Sequence, residues 1–128
     1  MRTVLDASAL LAGLLNEPGA DRVAAALDAA VISAVNVAEV AAGLVKNGAS
    51  EHEARSALKA AAVTVVPADE ELGVQAGLLR SITDRAGLSL GDRFCFALAR
   101  RLGSPALTAD RKWATVADAA GVEVELIR

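Results

Sequence analysis

The sequence predicts an α/β fold: a parallel sheet with helices on both faces. Three observations carry that expectation. Short β-branched or apolar runs alternate with helical stretches along the whole chain, the pattern of successive strand–helix–strand units. No two of these runs lie close enough in sequence to close a tight hairpin, so parallel crossovers are the natural connections. Hydrophobic residues make up 54 % but aromatics only 2 %; alanine and valine supply much of the rest, and small side chains suit close helix-on-sheet packing. The 128 residues make a single domain, 1–128, long enough to bury roughly two-thirds of its unfolded surface without staples.

Thr3-Val4-Leu5 is the first strand, and Asp6-Ala7-Ser8 opens a helix through Leu15. Asn16-Glu17-Pro18-Gly19 is a turn, and a second helix is expected from Ala20 to Asp28. Ala30-Val31-Ile32 is a buried strand, too short and apolar for a helix. Ser33 caps a helix from Ala34 to Lys46, closed by Asn47-Gly48. Asn36, Glu39, Gly43 and Lys46 form one stripe along it. Ser50 caps a charged helix, Glu51 to Ala61, with Glu53 near a capping-box position. Val63 to Val66 is the third strand, ended by Pro67, and Asp69 to Arg85 reads as one long amphipathic helix closed by Ala86-Gly87. Ser89 opens the next helix, which carries Asp92 in its first turn and stops at Gly103-Ser104-Pro105. Ala106-Leu107-Thr108 is the fourth strand, and Asp110 follows it. A last helix is expected from Arg111 to Ala120, then Gly121 and an edge strand, Val122 to Ile127.

The net charge of −3 argues against binding polyanions through a bulk field. Locally the balance differs. Between Asp92 and Lys112 there are five basic residues (Arg93, Arg100, Arg101, Arg111, Lys112) against two acidic ones. That asymmetry fits either a phosphate-facing patch or a solvated helix face. One cysteine excludes an intramolecular disulfide and is compatible with a reducing compartment. No run reaches the ~18 apolar residues of a membrane span. Asp6 interrupts the apolar stretch behind Arg2, and Asn16-Glu17-Pro18-Gly19 is a poor cleavage context for a signal peptide. A cytoplasmic location, with no membrane partner, is the expectation.

In such a sheet the carboxyl ends of strands one, two and four surround one crevice, where open α/β sheets bind ligands. Asp6, Glu39, Asp92 and Asp110 are placed to reach it. Each also has a structural role open to it: Asp6 and Asp110 stand at N-cap positions, Asp92 in a first turn, Glu39 on a polar stripe. Convergence would change their meaning. Two like charges ~4 Å apart repel by ~4 kcal/mol at an effective dielectric of 20, so a cluster must take up protons or a cation. Oxygen-only donors favour a hard ion, Mg²⁺ or Mn²⁺, and such an ion beside arginines suits phosphate-ester chemistry.

Four stretches strengthen that expectation: VLDASAL at the start, NVAEV at Asn36 to Val40, LSLGDRFCFALA at Leu88 to Ala99, and LTADRKW at Leu107 to Trp113. They resemble the four motifs of the PIN-domain nucleases, and in size and detail the chain resembles the toxins of VapC type from type II toxin–antitoxin pairs. The resemblance covers essentially the whole chain. It implies a PIN-like three-layer α/β/α architecture with a five-stranded parallel sheet. It also implies Mg²⁺- or Mn²⁺-dependent endoribonuclease activity by in-line attack of a metal-activated water, leaving a 5′-phosphate and a 3′-hydroxyl. The implied partners are RNA, a cognate antitoxin and a second copy in a homodimer. By position Asp6, Glu39, Asp92 and Asp110 match the acidic set, with Asp6, Asp92 and Asp110 as metal ligands and Glu39 helping to hold the ion or orienting the nucleophile. Ser8 and Thr108 match supporting hydroxyls. Many relatives carry a further acid two residues after the last aspartate, where this chain has Lys112.

Arg93 and Arg100 fall within about 20° of each other around a helix and are the candidate phosphate contacts. Cys95, between Phe94 and Phe96, is expected in the core, His52 on the surface, and Trp113 in packing of the last helix rather than on a base. Two other functions fit parts of the pattern: a phosphatase with an acidic metal pocket, and a non-catalytic binding module whose acids are caps. Asp6-Ala7-Ser8 supplies only one acid where phosphatases of similar fold usually pair two.

Overall fold

The computed structural model describes residues 2–128. Its strands are β1 (Thr3–Leu5), β2 (Ala30–Ser33), β3 (Thr64–Val66), β4 (Ala106–Thr108) and β5 (Val124–Leu126). They form one sheet in the order β3-β2-β1-β4-β5, and every neighbouring pair is parallel. The register sets Val4 opposite Val31 on one side and Ala106 on the other, with Leu5 opposite Leu107. β1 is central, so the chain leaves it toward β2 and β3 and later returns to its other side as β4 and β5.

The period of two along each strand divides the core into two layers. Val4, Val31 and Ala106 point into one. There they meet α5 (Glu70–Leu78), α7 (Leu90–Leu102) and the residues Trp113, Val116 and Ala120. Leu5, Ile32 and Leu107 point into the other, against α1 (Ala7–Leu14), α2 (Ala20–Ala26), α3 (Ala34–Lys46) and α4 (Glu51–Ala61). The result is the three-layer α/β/α arrangement.

Local chemistry places the starts of α3, α4, α5 and α7. Ser33 accepts a hydrogen bond from the Asn36 amide. Ser50 with Glu53, and Ser89 with Asp92, form full capping boxes. Gly103 ends α7 with φ +59°, the left-handed turn that glycine adopts without a Cβ penalty.

Several boundaries depart from the sequence expectation. The helix expected over Asp69–Arg85 is interrupted at Leu79, so α5 is followed by α6 (Arg80–Thr83) and a 3₁₀ turn, Asp84–Ala86. The buried residues Leu72, Ala76, Leu79 and Thr83 keep helical spacing across the interruption, which is why periodicity does not reveal it. The helix expected over Arg111–Ala120 is a 3₁₀ segment, Arg111–Thr115, followed by α8 (Ala117–Ala120). Trp113, Val116 and Ala120 are all buried, and their steps of three and four residues imitate one continuous α-helix. The second helix ends at Ala26 and continues as a 3₁₀ turn, Leu27–Ala29, and the last strand is shorter than Val122–Ile127. Among the described residues no helix is long and apolar enough to cross a membrane.

Candidate functional site

The chain leaves β1 at Asp6, β2 at Ser33 and β4 at Thr108, all at one edge of the sheet. Asp6 has the backbone of an N-cap for α1, yet its side chain caps nothing. Its Oδ2 instead accepts hydrogen bonds from Ser8 Oγ at 2.6 Å and from Thr108 Oγ1 at 2.9 Å. Each hydroxyl has one proton to give, and each also accepts a backbone N–H from the chain leaving β4. Ser8 Oγ takes that of Ala109 and Thr108 Oγ1 that of Asp110, both at 3.0 Å. Two hydroxyls therefore lock the β1 carboxylate to the β4 exit. Asp6 is 4 % exposed. Burial raises its pKa from the ordinary 3.8 to about 6; the bonds from Ser8 and Thr108 oppose the rise, and the charges of Asp92 and Glu39 add to it.

Glu39, half-buried on α3, accepts from Asn36 Nδ2 at 2.7 Å through Oε1. Burial raises its pKa as well; the Asn36 bond opposes this and the charge of Asp92 adds to it. Beneath them Cys95 is fully buried. Burial, then the charges of Asp6, Asp92 and Glu39, push its thiol far up, which keeps it neutral and unreactive. Asp6, Glu39 and Asp92 are thus brought into one electrostatic neighbourhood. None of the three forms an ion pair among the described residues.

Asp92 and Asp110 each give an oxygen to a cap. Asp92 Oδ2 accepts from the Ser89 amide at 2.9 Å, and Asp110 Oδ1 from the Lys112 amide at 3.0 Å. Asp110 also faces Lys112 Nζ at 3.9 Å. Asp110 is not among the charges that shift Asp6 or Glu39. Among the described residues no three acidic, histidine or cysteine side chains close up as a ready ligand set. The fit to a cation lies in the donor chemistry of Asp6, Glu39 and Asp92: hard carboxylate oxygens, mutually repelling, one of them buried and none paired with a basic side chain among the described residues.

Arg93 and Arg100 share a face of α7 but do not join this cluster. The Arg93 guanidinium turns to the Ala76 carbonyl at 3.4 Å, with Nε buried and without a partner among the described residues. Arg100 is exposed about 12 Å along the helix from Asp92. It lines a groove of about 360 Å³ with Gln75, Leu79, Ile82, Ala97 and Arg101. His52 is exposed, and Trp113 is fully buried against Phe96 with ring centroids 4.7 Å apart.

Sequence reasoning passed over Ser33, Asn36 and Gly91 as parts of this site. Asn36 is fully buried and bonds both Glu39 and the Gly91 carbonyl. Its place three residues before Glu39 was a visible signal; Gly91 offered only its place between Ser89 and Asp92.

The fold and site define a class: an α/β/α domain that gathers Asp6, Glu39 and Asp92 near the carboxyl ends of its parallel strands, with no ion pair to any of the three among the described residues. The chain belongs to the PIN domain family, whose sequence model matches residues 3–119. No curated protein matches it. Among solved structures it is similar to the DNA-bound VapBC of Salmonella typhimurium, at 19 % identity and TM-score 0.77, covering 100 % of this chain and 99 % of that one. It is similar to VapC20 of Mycobacterium tuberculosis, described as a sarcin-ricin loop cleaving toxin, at 18 % identity and TM-score 0.72, covering 88 % and 93 %. VapBC-5 of the same organism, a member of a family of toxin–antitoxin systems, matches at 23 % identity and TM-score 0.67, covering 98 % of each chain.

Proposed function

We propose that the chain is a metal-dependent endoribonuclease, the toxin of a type II toxin–antitoxin pair. The observation that carries the reading is Asp6: a buried carboxylate that feels the charges of Asp92 and Glu39, with no basic partner among the described residues and no capping role. A group so placed is costly unless it takes up a proton or meets a cation. The names of VapC20 and of the VapBC structures support the same reading.

In this reading Asp6, Asp92 and Asp110 would hold Mg²⁺ or Mn²⁺. When bound, the ion would offset phosphodiester charge and acidify the attacking water. Ser8 and Thr108 hold the Asp6 carboxylate at one oxygen and leave the other without a hydrogen bond among the described residues. Glu39 would help hold the ion or orient the water, and burial raises its pKa. Arg93 and Arg100 contact phosphates of the RNA. The partners are a cognate antitoxin, which must be removed before assay, and a second copy of the chain.

The test is cleavage of RNA by the purified, antitoxin-free protein with Mg²⁺ or Mn²⁺, and its loss in excess chelator and in Asp6→Ala. Cleavage that survives chelator refutes the metal requirement; absence of cleavage with either ion refutes the nuclease. One observation favours a second reading, a PIN module that binds without cutting: Asp92 and Asp110 both act as caps. Cleavage left unchanged by Asp6→Ala would support it.

A further inference from the structure

Glu39 projects from α3 on a flexible side chain, and its carboxylate needs support to keep one place beside Asp92. Two features across the α3–α7 contact supply it. The first is the Asn36 amide. Its Nδ2 donates to Glu39 Oε1 at 2.7 Å and to the Gly91 carbonyl at 2.9 Å, while its Oδ1 accepts from Ser33 Oγ at 2.7 Å. Both protons and the oxygen are engaged, and a flipped amide would set its oxygen against two acceptors. The second is the missing side chain at Gly91. A Cβ there would collide with Glu39 Oε1, Cδ and Oε2. Gly91 does not have a positive φ, so backbone conformation does not require glycine; the space does.

We propose that Asn36 and Gly91 are positioning residues for Glu39, the first tying its carboxylate to the start of α7 and the second leaving the room it occupies. The inference rests on the nuclease reading for the consequence of misplacing Glu39, but the placement itself is tested separately.

Gly91→Ala is the informative variant. It adds one methyl group against the movable end of a side chain, in a helix that favours alanine over glycine. The metal-free melting temperature should hold or rise, and RNA affinity should be unchanged or tighter. Single-turnover cleavage with Mn²⁺ should fall about 10- to 100-fold, the usual cost of disturbing a supporting group. In a Glu39→Ala background Gly91→Ala should cause no further loss, because the group it displaces is gone. Asn36→Ala should match the cleavage loss of Gly91→Ala; because it empties a buried position it also threatens the fold, and a misfolded variant would leave Gly91→Ala to decide.

An activity-independent measurement is the Asn36 side-chain amide in the ¹⁵N spectrum of the metal-free protein. In wild type it should exchange slowly, and in Gly91→Ala and Glu39→Ala its resonances should shift and exchange faster. Wild-type cleavage by Gly91→Ala overturns the proposal. So does an equal loss in the Glu39→Ala background, or an Asn36 amide that moves in neither variant. If the wild-type protein cuts no RNA, the nuclease reading fails alone and the amide signal still decides the placement of Glu39.

Discussion

Replacing Asp6 with asparagine should stabilise the metal-free protein at neutral pH. The magnitude follows from the site. At about 1.4 kcal/mol per tenfold change in proton affinity, a rise from 3.8 to about 6 corresponds to about 3 kcal/mol of native-state cost once the carboxylate ionises. Asparagine keeps one oxygen for Ser8 and Thr108 but puts an amide in place of the second, so the expected gain is about 1–3 kcal/mol. For a chain of this length that is about 3–10 °C in melting temperature. The pH dependence has a definite sign. Between about 4 and 6 native Asp6 holds a proton that the unfolded chain has released. Its stabilising contribution is full below about 4 and lost as pH rises through about 6. Thermal unfolding of both proteins in chelator, from pH 4 to 7.5, should therefore show curves that nearly coincide at the acid end and separate toward neutrality. A variant less stable than wild type at pH 7.5, or a gap that does not change with pH, would refute the electrostatic account and make the carboxylate a structural element.

Thr108→Val preserves shape but leaves the Asp110 amide without its acceptor and Asp6 with Ser8 as its one remaining donor among the described residues. It should cost about 1–3 kcal/mol in denaturant titration and move the pH dependence of stability to higher pH. Trp113 buries an indole N–H that has no partner among the described residues, so Trp113→Phe should cost well under the about 3–5 kcal/mol expected of Trp113→Ala; equal costs would mean that the N–H is satisfied. Arg100→Ala should weaken RNA binding and flatten its dependence on salt by about one counterion, and Arg93→Ala should do the same unless its guanidinium stays turned toward Ala76. Salt titrations of RNA affinity that match wild type would place the RNA away from that face of α7.

Much of the fold was legible because its determinants are local. The Ser50/Glu53 and Ser89/Asp92 capping boxes join residues three apart, and Gly103 ends its helix through its own backbone freedom. The alternation of strands and helices, with no possible hairpin, leaves little besides a parallel sheet. The candidate acids could be named from local pattern too: Asp6, Asp92 and Asp110 sit at or just beyond a recognisable strand end or helix start, and Glu39 lies on the polar stripe of α3.

The environment of those acids was decided by the tertiary structure. Asp6 and Asp110 look alike in sequence, each following a strand and opening a helix. Asp110 does cap the segment it opens, whereas Asp6 turns to Ser8 and Thr108 and loses almost all contact with solvent. One of the two bonds that hold Asp6 comes from Ser8 nearby, but the other comes from Thr108, 102 positions away on the neighbouring strand β4, and only the pairing of β1 with β4 brings it there. Asn36 and Gly91 likewise meet across 55 positions. The interruption at Leu79 and the 3₁₀ segment at Arg111–Thr115 were also hidden, because spacing records which side chains are buried and not the backbone path between them. Sequence alone determined the layers, the order of their elements and the donors available. Packing of distant segments decided which carboxylates lose water and which remain caps, since desolvation depends on neighbours that no local pattern contains.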